Sequence, residues 1–199
     1  MRKLLMGLAT TVLGVGMAAT SAHALSFGPG SNFNTGSGTG NTTSSTIANA
    51  WNPVFDPDIN TWILQYKSNV DDTSNTDPSV GIDEGPFASS YVTTFTNSPT
   101  DPADAKIDYV SGNVINCVTQ VCVLEVKDGD QDPGRYFINL SGWNGTDDIN
   151  LAGFWPNRGA ISHVTIWAGD PGTSVPEPAS LLLLGAGLAG LGLWRRKQA

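Results

Sequence analysis

The sequence predicts an all-β body, an antiparallel β-sandwich of jelly-roll-like type, set between two apolar terminal segments. Three observations predict it. Short runs with apolar residues at every second position recur between residues 61 and 167, the period of a strand buried on one face. Clusters of Asp, Asn, Pro and Gly separate these runs, and such residues supply turn chemistry. No stretch of the body holds a 3.6-residue apolar period, which argues against helices.

Taken in order, residues 1–24 read as a secretory signal peptide with a signal helix. Arg2 and Lys3 form a charged start, Leu4 to Val15 an apolar stretch, and Ala22-His23-Ala24 a small-x-small cleavage site before Leu25. Export machinery of the Sec type and signal peptidase are the partners this implies. Residues 25–50 are Gly, Ser, Thr and Asn with scattered Phe27, Phe33 and Ile47. So little apolar surface does not offset ordering entropy, and a flexible or edge-draped lead is expected there.

The sandwich is expected over 51–170. Thr61–Lys67 puts Trp62, Leu64 and Tyr66 on one face. Ser89–Thr96 sets Tyr91 and Phe95 against Val92. Val121–Lys127 turns Cys122, Leu124 and Val126 inward, with Glu125 and Lys127 outward. Arg135–Leu140 and Ile161–Trp167 complete the longer strands, and Val164 and Ile166 oppose His163 and Thr165. Shorter candidates are Lys106–Val110, Asn113–Val118 and Asp148–Ala152, with surface loops at 68–86 and 97–104.

Removing residues 1–24 and the C-terminal segment leaves five bases against seventeen acids in 25–174, a formal charge of −12. Phosphate backbones and anionic lipid repel such a body, which argues against nucleic-acid binding. Cys117 and Cys122 are the only cysteines, and an oxidising compartment would join them. A two-residue turn at Thr119-Gln120 would place them opposite each other in a hairpin, at a separation a disulfide accepts. Two thiols alone do not complete a zinc site.

The C-terminal segment opens with Val175-Pro176-Glu177-Pro178, ending a linker at 171–178. An uncharged span rich in Leu, Ala and Gly follows at 179–194, then Arg195-Arg196-Lys197 within a basic tail at 195–199. An apolar stretch closed by Arg and Lys reads as a transmembrane helix with a cytoplasmic stop signal. At ~1.5 Å per residue it is short for a spanning helix, which takes ~20 residues. The order and spacing resemble the PEP-CTERM sorting tail. That resemblance implies a Gram-negative exported protein recognised by an exosortase at Pro176, Glu177 and Pro178. Such a protein is held transiently in the inner membrane with its body periplasmic, then passes to the cell surface or extracellular polymeric matrix. Gly85-Pro86-Phe87-Ala88-Ser89-Ser90-Tyr91, Trp143-Asn144-Gly145-Thr146 and the stretches 126–133 and 153–164 resemble blocks of PEP-CTERM exoproteins whose ectodomain has no assigned chemistry.

Within the body, Asp128, Asp130 and Asp132 stand at i, i+2 and i+4 before Gly134, a spacing that lets three carboxylates reach one Ca²⁺ ion. The EF-hand pattern fails, with Pro133 at its glycine position and Asn139 at its twelfth. The other reading is a polar hairpin loop of Asx turns. His163 is the only histidine after the signal segment. Ser162, adjacent on a strand, would point to the opposite face, and no Gly-x-Ser-x-Gly elbow occurs in the body. Two carboxylates suffice for a glycosidase, yet acids abound, and of the two glutamates, Glu84 and Glu125, the latter is expected to face outward. No catalytic residues are assigned. Among the tryptophans, Trp62 reads as core. Trp143 and Trp155 sit in Gly/Asn/Pro loops as candidate glycan contacts or as plugs at the sandwich ends. The leading expectation is a non-enzymatic surface protein with a structural or adhesive body and no cofactor. The alternatives are a carbohydrate-binding module, with extracellular polysaccharide as partner and calcium assistance, and a secreted hydrolase.

Overall fold

Eleven short strands and one α-helix form among the described residues of the computed structural model, which are 23–37, 39–56, 58–59, 61–98, 101–128, 131–155 and 159–170. The expected signal helix at 1–24 (but for its last two residues) and transmembrane helix at 179–194 lie outside them. The elements run β1 (Leu25–Phe27), β2 (Asn34–Gly36), α1 (Ser44–Trp51), β3 (Thr61–Asn69), β4 (Ser79–Val80) and β5 (Ile82–Glu84). Then come β6 (Tyr91–Thr96), β7 (Asp104–Tyr109), β8 (Val121–Lys127), β9 (Arg135–Asn139), β10 (Ile149–Leu151) and β11 (His163–Asp170).

Two sheets result, a β-sandwich as the alternation predicts. Sheet A has the order β1-β10-β7-β6-β4 and sheet B the order β2-β9-β8-β11-β3-β5. All pairs are antiparallel except β1 with β10. Between the sheets, Leu124, Val126, Val164 and Ile166 of sheet B meet Tyr91, Phe95, Ile107 and Ile149 of sheet A. The inward faces of β6, β8, β9 and β11 are those the sequence predicts.

One face assignment is corrected. Tyr66 enters this core, whereas Trp62 and Leu64 pack on the opposite side of sheet B. Ile166 pairs with Tyr66 while Trp167 pairs with Leu64, so Gln65 is an extra residue in β3. Such a bulge reverses the facing of every residue beyond it.

The lead also departs from expectation. In place of a flexible segment at 25–50, the chain forms β1 and β2, which lie on the sheet edges as the edge-draped alternative has it, and also the unexpected α1. Thr43 caps α1, its hydroxyl accepting from Thr46 N at 3.3 Å while Thr46 Oγ1 accepts from Thr43 N at 3.3 Å, a reciprocal capping box. Ile47, Ala48, Ala50 and Trp51 are buried on the helix face turned to Trp62, Val123, Phe137 and Trp167 of sheet B. Phe33 joins them, edge-on to Trp51 at 5.4 Å. Ser44 Oγ accepts from Trp62 N at 2.8 Å and Ala50 O from Asn34 Nδ2 at 3.0 Å, tying both ends of the helix to neighbouring segments. Pro53 follows shortly after the last helical residue, where a missing N–H and a clashing ring prevent continuation.

The cysteines are joined, Cα atoms 5.5 Å apart, but not across a hairpin. No strand forms over Asn113–Val118. Asn116 Oδ1 instead accepts from Val118 N at 3.0 Å and Thr119 N at 3.3 Å, an Asx turn leading into β8. Cys117 is held by a different turn, its N–H on Trp143 O at 3.2 Å and its carbonyl receiving Gly142 N at 2.7 Å.

Candidate functional site

The outward face of sheet B divides into an apolar half beneath α1 and a polar half. Register sets the polar half in two rows. Glu125 on β8, Thr165 on β11, Lys67 on β3 and Glu84 on β5 lie opposite one another in sequence. The second row holds Arg135, Lys127, His163 and Asn69. Three of the body's five bases therefore converge here: Lys67, Lys127 and Arg135.

Glu125 is expected to face solvent as the outward residue of an alternating strand; it does face outward, yet it is fully buried, 0% exposed. Residues 39–43 cross above it. Its carboxylate accepts from the Thr42 hydroxyl and from Trp167 Nε1 at 3.4 Å, with Arg135 Nη1 at 3.9 Å. Arg135 donates to Thr42 Oγ1 at 2.8 Å and Gly40 O at 2.9 Å. Lys127 Nζ donates to Asp128 O at 2.9 Å and Thr39 O at 3.4 Å. Burial pushes the Glu125 carboxyl up against the opposing pull of Thr42, Arg135, Trp167 and Lys127. Burial, then Arg135, pushes the Lys127 ammonium down. Each charge thus ends on a partner supplied by the crossing segment or by its neighbour, as a buried ion pair requires. Close approach is needed at Gly36, where a Cβ would lie 2.8 Å from Arg135 Cγ.

Beside this roofed cluster lies a cleft of about 200 Å³ whose lining includes Thr42, Lys67, Glu84, Glu125, His163 and Thr165. His163 also borders a second cavity, about 410 Å³, with Asp72, Asp101, Asp128 and Ser162. Burial, reinforced by Lys67, Lys127 and Arg135, holds the His163 imidazole down at about 3, so it is neutral at ordinary pH.

Ser162 and His163 come together, against the expectation that neighbours point apart. Ser162 precedes the start of β11 and escapes strand alternation. Ser162 Oγ lies 3.4 Å from His163 Nδ1 and donates to Lys127 O at 3.0 Å. Its proton is therefore directed away from the imidazole, the reverse of an activated nucleophile. Glu84 and Glu125 line the same cleft, but three strands apart, roughly 14 Å between Cα atoms at ~4.8 Å per strand. Glu84 accepts from Asn69 Nδ2 at 2.6 Å, and Glu125 is held toward Thr42, Arg135 and Trp167.

Trp143 and Trp155 are plugs, with no ring face open to a sugar; they are 3% and 7% exposed. Trp143 Nε1 donates to Asp147 O at 2.9 Å, and Trp155 Nε1 to Pro133 O at 2.8 Å. Tyr91 closes the same end as Trp143, donating to Gly145 O and accepting from Ile115 N, both at 2.8 Å. Burial pushes its phenol up to about 12. Of the aspartate trio, Asp128 is buried and accepts from Ala160 N at 2.7 Å through Oδ2. Asp132 is exposed, and Asp130 lies outside the described residues. Among the described residues no group of three His, Cys, Asp or Glu is placed to hold a metal ion. The two-row cluster was missed because its cover, residues 39–43, carries no periodic signal. The one available clue was the near-continuous apolar run Val121-Cys122-Val123-Leu124, which marks a strand buried on both faces.

The family model of the PEP-CTERM protein-sorting motif matches residues 174–197, which fall outside the described residues along with Val175, Pro176, Glu177, Pro178, Arg195, Arg196 and Lys197. No curated protein and no solved structure matches the chain. The chain thus carries the sorting motif of an exosortase substrate, a protein exported and sorted at the membrane through this segment. Among the described residues no helix is long and apolar enough to cross a membrane.

Proposed function

We propose that the body of this exported chain is a non-catalytic module whose role is structural or adhesive. After exosortase processing at or near Pro176-Glu177-Pro178 it is displayed on the cell surface or in the extracellular polymer. One observation carries the reading of the body: its buried ionic groups serve the fold. Glu125, Lys127 and Arg135 bond to the lead and to the neighbouring Asp128 backbone, Glu125 and Arg135 form an ion pair at 3.9 Å, and Ser162 directs its proton to a backbone carbonyl. A disulfide at Cys117–Cys122 and capped sandwich ends suit a body that persists outside the cell.

Fractionation and intact mass, compared between cells with and without the exosortase, test the sorting step. Surface material from normal cells is expected to lack the residues after the Pro-Glu-Pro motif, and cells without the enzyme to retain the whole tail in the membrane. Surface material that keeps the tail in normal cells sinks the reading.

A further inference from the structure

The cleft on sheet B contains polar groups that the fold does not use. Lys67 is the first. Among the described residues its only partner is Glu84 Oε2 at 4.0 Å, well beyond the ~2.7–2.9 Å of a charge-assisted hydrogen bond. Glu84 is itself 55% exposed in its side chain and is committed through Oε1 to Asn69, so it can yield. Lys67 thus presents three N–H donors and a full charge, 22% exposed, at the wall of the cleft.

His163 is the second. The Ser162 hydroxyl donates to Lys127 O, so its oxygen, 3.4 Å from Nδ1, suits the tautomer that carries the ring proton on Nδ1. Nε2 is then a lone-pair acceptor, and among the described residues the only hydrogen-bond partner of the ring is Ser162, at Nδ1. His163 opposes Asn69 across the β11–β3 ladder. Lys67 is therefore its diagonal neighbour, ~7–8 Å away and within reach of long side chains. Thr165, directly opposite Lys67, lies at the floor of the lining and is buried.

A ligand complementary to this set needs an anionic oxygen for Lys67 and, a few ångströms from it, a hydroxyl that donates to His163. The cavity of about 200 Å³ is smaller than the ~300–1,000 Å³ of drug-sized pockets, which limits the occupant to about one sugar unit. A bare anion leaves the imidazole unpaired, and a neutral hexose leaves the ammonium unpaired. We propose that this cleft binds a uronic acid unit, its carboxylate on Lys67 and a ring hydroxyl on His163. The proposal deepens the adhesive reading by naming the partner chemistry, an acidic saccharide. Lys67 offsets there the general repulsion of an acidic body for such a polymer.

Isothermal titration of the full-length chain in non-ionic detergent with glucuronate tests it, with glucose, lactate and sulfate as comparison probes. Glucuronate is expected to bind in the millimolar range, and each comparison probe about tenfold or more weakly. Lys67→Met, which keeps the aliphatic stem, is expected to weaken glucuronate about tenfold with an unchanged melting midpoint. Glu84→Gln removes the competing carboxylate and is expected to tighten it several-fold, a change of sign that mere loss of structure does not produce. No glucuronate binding at tens of millimolar overturns the proposal. So does equal affinity for glucose, lactate or sulfate, or indifference to both substitutions. Because binding is read on the purified chain and sorting in cells, either reading can fail while the other stands.

Discussion

The outward faces of the two sheets solve one problem in opposite ways. On sheet A the outward residues of β7 and β10 include Lys106, Asp108 and Asn150. Lys106 pairs there with Asp108 and, at 2.9 Å, with Asp148, in contact with solvent. A polar sheet face needs nothing above it. On sheet B the outward residues include Trp62, Val123, Phe137 and Trp167, so this face must be covered. The cover is the lead, and a lead of Gly, Ser, Thr and Asn brings backbone carbonyls down with it. Carbonyls turned onto the sheet find donors there, and Lys127 and Arg135 supply them at Thr39 and Gly40 through part-buried hydrogen bonds. The charges beneath the cover are thus a consequence of covering an apolar face with a polar segment. Similar residues do different work on the two faces.

The sharpest way to break this contrast is to remove one base from each face. Arg135→Ala leaves Glu125 buried without its guanidinium and frees Gly40 O and Thr42 Oγ1. A loss of about 3–5 kcal/mol is expected. Lys106→Ala on sheet A, 44% exposed in its side chain, is expected to cost about 0–1 kcal/mol. Urea denaturation of both variants measures the difference. Equal losses would show that the crossing segment does not seal sheet B. Hydrogen exchange at residues 39–43, faster in Arg135→Ala alone, locates the effect.

Next in size is the apolar half of the same face. Ile47 is fully buried between α1 and sheet B, and Ile47→Ala is expected to lose about 2–5 kcal/mol, the cost of a core truncation. A helix merely draped on the sheet would lose under about 1 kcal/mol. The thermal or urea midpoint distinguishes the two.

Legibility in the sequence follows the same division. The inner faces of β6, β8, β9 and β11 are readable because apolar residues recur there at every second position, Tyr91, Phe95, Leu124, Val126, Val164 and Ile166 among them, even on β8, whose other face is buried too. Disulfide pairing was readable too, though not its setting, since Asn116 makes a turn where a hairpin strand is expected. Trp62 is buried as expected but does not share a face with Tyr66, because a bulge at Gln65 adds one residue to the count and a single insertion inverts a period of two. Helix α1 escaped because eight residues fall below the ~11–18-residue window in which a helical period emerges. Its start nevertheless carries a readable cap in Thr43 and Thr46. The cleft depends on register between strands far apart in sequence, β3 with β11 and β11 with β8, and no local pattern encodes that.

Acid sharpens the comparison, because His163 occurs on one face only. Its imidazole is held at about 3 when folded against ~6.5 unfolded, so between these values the unfolded chain binds more protons. Stability is then expected to fall as pH is lowered through that window and to level off below it. Glu125 runs the other way. Its raised folded pKa contributes stability at acid pH that is lost as pH rises through that folded value. His163→Gln should flatten the slope between about pH 6.5 and about pH 3, whereas Glu125→Gln should remove the opposing contribution. Urea midpoints at about pH 4 and about pH 7 suffice, and an unchanged slope in His163→Gln would exclude the histidine as its source.

The smallest expected effect isolates the cover from the charges it brings. Thr43 touches neither Glu125 nor Arg135 through its side chain; its hydroxyl meets Ser45 and Thr46. Thr43→Ala removes the cap from α1 without disturbing the ionic cluster, at an expected cost of about 1 kcal/mol, or about 2–4 °C in melting midpoint for a chain of this size. Thr43→Ser keeps the oxygen and is expected to restore the midpoint. If α1 and residues 39–43 dock as one unit, the loss of the cap also speeds hydrogen exchange at Gly40 and Thr42. If they dock separately, exchange rises in α1 alone, and the polar half of sheet B holds its cover by Lys127 and Arg135 without help from the helix.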